Sequence, residues 1–332
     1  MKRLVLAVDG GNSKTDVAVV SEDGRVLAEA RAGAFAPQRD GVAAAVDVVT
    51  AAVAALPGGG RFDQVSACLA GADLPEEEEA LAREFAARGL GGDVVVRNDT
   101  FALLRAGASA PWGVAVVCGA GINAVGVSPG GAVARFPALG RISGDWGGGL
   151  DLGEEVLWHA VRAEDGRGVP TLLAGLVTAH FGTGTVTEVA LALHTGRLDD
   201  GRLHELAPGV FAAAAAGDGV ARALVRRQAE EVALMAEVCL RRLGLLGTPA
   251  EVVLGGGLLT ARDPLLTSLL EGEFALRMPL AVPVVAEEPP VLGAALLGLD
   301  RLGAPEAAGA RLRGHYRHSA LPDPPGAAQA VS

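Results

Sequence analysis

The 332 residues are 50% hydrophobic and carry a formal net charge of −11 at pH 7, which excludes a disordered chain and, at roughly 150 residues per domain, suggests two domains. An acidic balance with no basic stripe argues against nucleic acid as a partner, although a small anion needs only backbone N–H groups and one cation. Cys68, Cys118 and Cys239 are odd in number and far apart, so no disulfide framework, zinc site or iron–sulfur site is readable and a reducing cytoplasm is expected.

The apolar run Leu4 to Val8 is cut by Asp9, and no run approaches the ~20 residues that span a bilayer, so neither a signal peptide nor a membrane segment is expected. With Asp16 to Val20 and Arg25 to Ala30 this run predicts three adjacent strands joined by tight turns. Val42 to Leu56 is helical by composition and stops at Pro57-Gly58-Gly59-Gly60. Val65 to Leu69 is a strand, Pro75 to Arg88 opens with acids at a helix N-terminus, Val94 to Arg97 is a strand, and Phe101 to Ala106 is a helix. After Pro111 the pattern restarts with strands at Val114 to Cys118, Asn123 to Val127 and Gly131 to Arg135, an echo that suggests an internal duplication. Asp151 to Gly244 reads as almost all helix, with Leu224, Val225, Val232, Met235 and Val238 forming one stripe. Strands return at Glu251 to Leu254 and Ala281 to Val285, and beyond Gly303 the composition predicts a tail, disordered from Leu321. The expected fold is α/β: an N-terminal lobe over 1–110, a second lobe over 111–302 with a helical insertion at 151–244, a ligand cleft between them, and a tail over 303–332.

The chain uses Arg almost throughout; its only lysines are Lys2 and Lys14, and Lys14 falls in Asp9-Gly10-Gly11-Asn12-Ser13-Lys14-Thr15-Asp16, between two strands. Two glycines allow a sharp turn and close approach to a ligand, while Ser13, Lys14 and Thr15 offer hydroxyls, N–H groups and a charge to phosphate oxygens. Asp9, at the end of the first strand, can hold Mg²⁺ through water. An ordinary hairpin turn would use the same residues, but the internal lysine favours a phosphate loop. Gly119-Ala120-Gly121-Ile122-Asn123 is the corresponding turn of the second half and a candidate second phosphate loop. Gly255-Gly256-Gly257 follows a buried strand, where bare backbone admits a nucleoside or serves close helix–strand packing. Asn98-Asp99-Thr100 puts a carboxylate where a general base would sit, though all three residues also suit a helix cap. The glycine-dense segment Arg141 to Gly149 presents Gly144 and Asp145, a carboxylate suited to sugar hydroxyls, or is a linker between lobes. His159, His180, His194 and His204 lack ligand spacing.

Taken together, Asp9 to Thr15, Asn98-Asp99, Gly119 to Asn123, Ser143-Gly144-Asp145-Trp146-Gly147 and Leu254 to Gly257, in that order, resemble the BadF/BadG/BcrA/BcrD-type ATPase family, in particular its N-acetylglucosamine kinase branch within the sugar kinase, Hsp70 and actin superfamily. The resemblance covers nearly the whole chain and implies two ribonuclease H-like (actin-like ATPase) lobes closing on Mg·ATP and a hexosamine. On it, Asp99 is the base for the sugar 6-hydroxyl and Asp9 positions Mg²⁺. Gly10 to Thr15, Gly119 to Gly121 and Gly255 to Gly257 hold ATP, and Asn98, Asn123, Gly144 and Asp145 orient the sugar. A homodimer is implied as well. Gly33-Ala34-Phe35-Ala36-Pro37-Gln38 has no Asn where such kinases carry one to hold the sugar, so N-acetylglucosamine, glucosamine, N-acetylmuramic acid or another amino sugar stays open. The alternatives are an ATPase activator of a dehydratase or reductase, which would need clustered cysteines, and a nucleotide-binding regulatory module without phosphotransfer.

Overall fold

The computed structural model describes residues 2–56 and 61–318; the Pro57-Gly58-Gly59-Gly60 stop and the tail from Leu321 lie outside the described residues. The chain forms two units, Met1–Trp112 together with Ala286–Ser332, and Gly113–Val285.

In the first unit β1 (Leu4–Gly10), β2 (Thr15–Ser21) and β3 (Val26–Ala32) form an antiparallel meander, followed by α1 (Pro37–Asp40), α2 (Val42–Ala54), β4 (Phe62–Leu69), α3 (Pro75–Ala87), β5 (Gly91–Asn98) and α4 (Asp99–Gly107). The sheet order is β3-β2-β1-β4-β5, with β1, β4 and β5 parallel. Alternation decides the two faces. Leu6 and Val8 of β1 with Val65, Ala67 and Leu69 of β4 pack against α2 and α3, whereas Val5, Ala7 and Cys68 face the other way.

The second unit repeats this plan. β6 (Gly113–Cys118), β7 (Ile122–Val127) and β8 (Val133–Arg135) are a meander, and β9 (Ala250–Gly255) and β10 (Ala281–Val285) extend it in the order β10-β9-β6-β7-β8. The duplication expected from the sequence is therefore topological, strand for strand. Between β8 and β9 run α5 (Gly148–Glu164), α6 (Leu173–Phe181), α7 (Val186–His194), α8 (Ala207–Ala215) and α9 (Gly219–Arg242). The buried stripe of α9 carries Leu224, Val225, Val232, Met235 and Ala236, and this helix lies on β6 and β7. It thus covers the second sheet as α2 covers the first. α10 (Gly257–Thr260) and α11 (Pro264–Arg277) join β9 to β10.

The expected boundary at residue 302 needs correction. α12 (Pro290–Leu302) follows the last strand of the second sheet but belongs to the first unit, where Val291, Leu292, Ala294, Ala295 and Leu299 share a core with Val5, Ala7 and Ala102. Gly293 makes the approach possible: a Cβ there would lie 1.8 Å from the Ala102 carbonyl oxygen of α4. The tail expected from Gly303 is a helix over its described part, α13 (Glu306–His318), because Ala308, Leu312 and Tyr316 recur on one face and complete the same core. Arg313 of α13 donates to the carbonyls of Arg105, Ala106 and Ala108, which satisfies the C-terminal end of α4.

Candidate active site

In the first unit Asp9 is the next-to-last residue of β1 and Asp99 the first of α4, so both carboxylates stand at the C-terminal edge of the parallel strands β1, β4 and β5. Such edges are where open α/β sheets receive ligands. Burial pushes the Asp9 carboxyl up to about 8, helped by repulsion from Asp99 and then Asp16, with Lys14 pulling the other way. Burial pushes Asp99 up to about 6, against the N–H groups of Thr100 and of Asp99 itself. Asp9 and Asp99 thus lie close enough to repel each other with only Lys14 acting against the charge on Asp9, which favours binding of further positive charge.

Asp16, on β2, is the residue the sequence reading overlooked. It is only 4% exposed and takes Arg31 side-on, Nε to Oδ1 at 2.6 Å and Nη2 to Oδ2 at 3.3 Å. The same Oδ2 lies 3.2 Å from Lys14 Nζ, which holds the half-exposed ammonium over the turn. A charged residue leading directly into the apolar run Val17-Ala18-Val19-Val20 of a buried strand was the available signal, since a buried carboxylate requires a partner.

The turn itself is closed by Gly11 N donating to Lys14 O at 2.8 Å, with Asn12 and Ser13 exposed at its tip. Gly10 answers to packing, because a Cβ there would meet Leu69 Cδ2 at 2.7 Å and Phe35 Cγ at 3.0 Å. Thr15 corrects an expectation. Its side chain is fully buried and its hydroxyl donates to the Gly33 carbonyl at 2.8 Å, so it ties β2 to the end of β3 and offers nothing to a phosphate oxygen. Asn98 is a second correction. The residue is 3% exposed, its Oδ1 accepts from the N–H and hydroxyl of Thr100 as the cap of α4, and its Nδ2 donates to Asp73 Oδ1 at 2.8 Å. A side chain so engaged fixes the start of α4 and with it the position of Asp99. Asp73, in the loop after β4, was not anticipated; its N–H and that of Leu74 donate to Glu77 in the first turn of α3.

In the second unit the two glycine-rich loops are one structure. Gly149 N donates to Gly119 O at 2.8 Å and Leu150 N to Ala120 O at 2.9 Å, so the start of α5 is hydrogen-bonded to the turn between β6 and β7. Gly148 has φ +88° and a Cβ there would fall 2.6 Å from the Gly121 backbone. Beneath them Gln228 of α9, fully buried, accepts from Gly148 N at 2.9 Å. With the carbonyls of Gly119 and Ala120 taken, the remaining face of the turn is open: a Cβ at Gly119 or Gly121 would meet nothing within 4 Å. Asn123 follows on β7 and accepts from Ala124 N.

Asp145 stands beside the exposed Gly144 and accepts from the Ser143 hydroxyl. Its neighbour Trp146 is 3% exposed, under the Arg227 guanidinium at 4.0 Å, so the tryptophan anchors the loop and leaves the aspartate at the surface side. The three glycines after β9 divide their tasks. Gly256, φ +83°, is packed so that a Cβ would lie 2.4 Å from Cys118 O, while Gly257 is exposed with open space around it. Nearby, Leu254, Leu259, Leu266, Leu270 and Phe274 line an apolar cavity of about 180 Å³.

Cys68, Cys118 and Cys239 are buried on β4, β6 and α9, and burial raises all three thiols, Cys118 and Cys239 to about 12. Among the described residues no group of three or more His, Cys, Asp or Glu is arranged to hold a metal ion by itself. No single described helix is long and apolar enough to cross a membrane.

Known proteins match along almost the whole length. An N-acetylmuramic acid/N-acetylglucosamine kinase of Clostridium acetobutylicum is 24% identical over 264 residues, 77% of this chain and 86% of its own. An N-acetyl-D-glucosamine kinase of Dictyostelium discoideum is 23% identical over 316 residues, 90% and 98% of the two chains. A crystal structure from Chromobacterium violaceum, provisionally assigned as an N-acetylglucosamine kinase, superposes with a TM-score of 0.71 at 26% identity, covering 89% of this chain and 99% of that one. The model of the BadF/BadG/BcrA/BcrD ATPase family matches residues 6–298, a span that takes in both sheets and every glycine-rich loop described above, and the chain belongs to that family.

Proposed function

We propose that the protein is an ATP-dependent amino-sugar kinase that transfers the γ-phosphate to the 6-hydroxyl of N-acetylglucosamine or a related hexosamine. The observation that carries this reading is Asp99: a carboxylate at the head of α4, held by the Asn98 cap and raised to about 6, is ionised at neutral pH yet basic enough to take a proton from an attacking hydroxyl. The names of the matched relatives point to the same substrate class.

Asp9 suits a hydrated Mg²⁺, which is commonly held by one or two carboxylates together with substrate phosphates, and the ion's charge would draw the proton from the buried Asp9 carboxyl beside Asp99. That ion supplies charge neutralisation on the phosphates. Lys14 exchanges part of its contact with Asp16 for a phosphate oxygen, a move its half-exposed, flexible stem permits. The exposed turn tip at Asn12 and Ser13 and the open face at Ala120 and Gly121 provide N–H groups to phosphate, and Gly257 lets the nucleoside approach. Asp145, Gly144 and Asn123 take sugar hydroxyls. Asp99 receives the proton as the hydroxyl oxygen attacks, and positioning plus electrostatics do the rest.

The test is ADP release from ATP over a panel of hexosamines, with Asp99→Asn alongside. Stimulation by an amino sugar that Asp99→Asn abolishes supports the reading; no stimulation by any sugar rejects it.

A further inference from the structure

On the face of the first sheet away from α2 and α3, a cavity of about 190 Å³ lies between β4, β5 and α12. Its lining includes Gln64, Ser66, Cys68, Arg97, Asp300 and Arg301. Polar groups are unusual in such a place, since neighbouring positions on these strands are apolar and a buried polar atom without a partner is costly. Gln64 is 1% exposed and Ser66 4%. Gln64 donates through Nε2 to the Val65 carbonyl at 2.9 Å, and its carbonyl oxygen and the Ser66 hydroxyl, neither of which is among the fully buried polar atoms left without a partner, open onto the cavity.

The charges do not cancel. Arg301 is paired with Asp93 at 2.7 Å and Asp300 with Arg105 at 2.8 Å, two closed pairs. Arg97 has no carboxylate partner among the described residues; its guanidinium lies 5.0 Å from the centroid of the Phe101 ring. A cation at the mouth and a hydroxyl and amide oxygen opening onto the cavity make a recognition set for an oxyanion that also carries a hydrogen-bonding group. Burial keeps the Cys68 thiol protonated, so it contributes shape and no covalent chemistry. The volume is below the roughly 300–1,000 Å³ typical of drug-sized ligands, which leaves phosphate or a small organic acid and excludes a nucleotide.

We infer that this cavity is a binding site for a small oxyanion, with Arg97 as its charge partner and Ser66 and Gln64 as its hydrogen-bonding floor. None of its lining residues belongs to the Asp9 and Lys14 turn, although Cys68 pairs with Asp9 across β1 and β4, and it is lined by the strand that ends in Asn98 and leads into Asp99. Its failure would leave the kinase reading untouched, because the test reads binding alone.

The experiment is isothermal titration of the full chain with inorganic phosphate and, separately, with pyruvate, at ionic strength fixed by chloride. Saturable binding of either probe with a Kd in the millimolar range is expected; which probe binds tells a phosphate site from a carboxylate site. Arg97→Gln weakens it at least about tenfold and Arg97→Lys less, as loss of a charge-assisted contact requires, while Lys14→Ala changes it less than about twofold. Ser66→Val, which removes the hydroxyl inside the cavity, weakens it without touching surface charge. The inference is overturned if neither probe binds saturably, the cavity then holding only water, or if binding is lost in Lys14→Ala and kept in Arg97→Gln.

Discussion

The acid limb of the rate profile follows from where Asp99 sits. Its carboxyl is raised from an ordinary 3.8 to about 6 because it is buried at the head of α4. A general base acts only when ionised, so activity is present above this value and lost as pH falls through it. With a pKa near 6 the ionised fraction is about 0.9 at pH 7 and about 0.1 at pH 5, and kcat/KM drops roughly tenfold; a carboxyl at 3.8 would stay about 0.9 ionised over the same interval. The assay is initial ADP release at subsaturating N-acetylglucosamine with saturating Mg·ATP, from pH 4.5 to 8, with circular dichroism confirming that the protein remains folded at each pH. Asp99→Asn lowers kcat by about 10²–10⁴-fold and flattens the residual profile. A wild-type kcat/KM that is level from pH 7 to 5 refutes the burial-raised base.

Burial raises the Asp9 carboxyl from an ordinary 3.8 to about 8 in the fold, so the native state holds the extra proton between those values and loses stability as pH rises through that window. Asp9→Asn accordingly raises Tm by ~2 °C or more at pH 8, with the gap closing toward pH 4 while activity is lost; a variant less stable than wild type at pH 8 contradicts this. Thr15→Val removes the hydroxyl bonded to Gly33 and costs about 1 kcal/mol of stability in denaturant titration, with the KM for ATP changed less than about twofold. Gly148→Ala places a Cβ 2.6 Å from Gly121 at φ +88°, so it lowers Tm and raises the sugar KM together; an unchanged KM would show that the two loops do not act as a unit.

Periodicity and turn chemistry made the strands legible. Ten apolar runs bounded by Gly, Pro, Asp and Asn fall on the ten strands of the two sheets, and the restart after Pro111 is visible as a repeat because both units use the same meander. The glycine-rich loops were legible for a similar reason, since glycines and one lysine stand out locally. What sequence order hides is partnership over distance. Asp73 meets Asn98 across 25 residues, and Gln228 meets Gly148 across 80. Thr15 looks like a phosphate ligand beside Lys14, yet strand alternation turns its hydroxyl inward to Gly33. The helix Glu306–His318 was mistaken for tail because its composition is polar on average; three apolar residues at helical spacing suffice when a core is waiting for them.

Sugar phosphorylation through Asp99 is read off directly from the product: incubation with Mg·ATP and N-acetylglucosamine, followed by mass spectrometry and phosphorus–proton correlation NMR of the sugar. A phosphate ester on the 6-oxygen is expected, formed one for one with ADP and absent with Asp99→Asn. ADP formed at the same rate with and without sugar, or an ester that Asp99→Asn still produces at full rate, would contradict it.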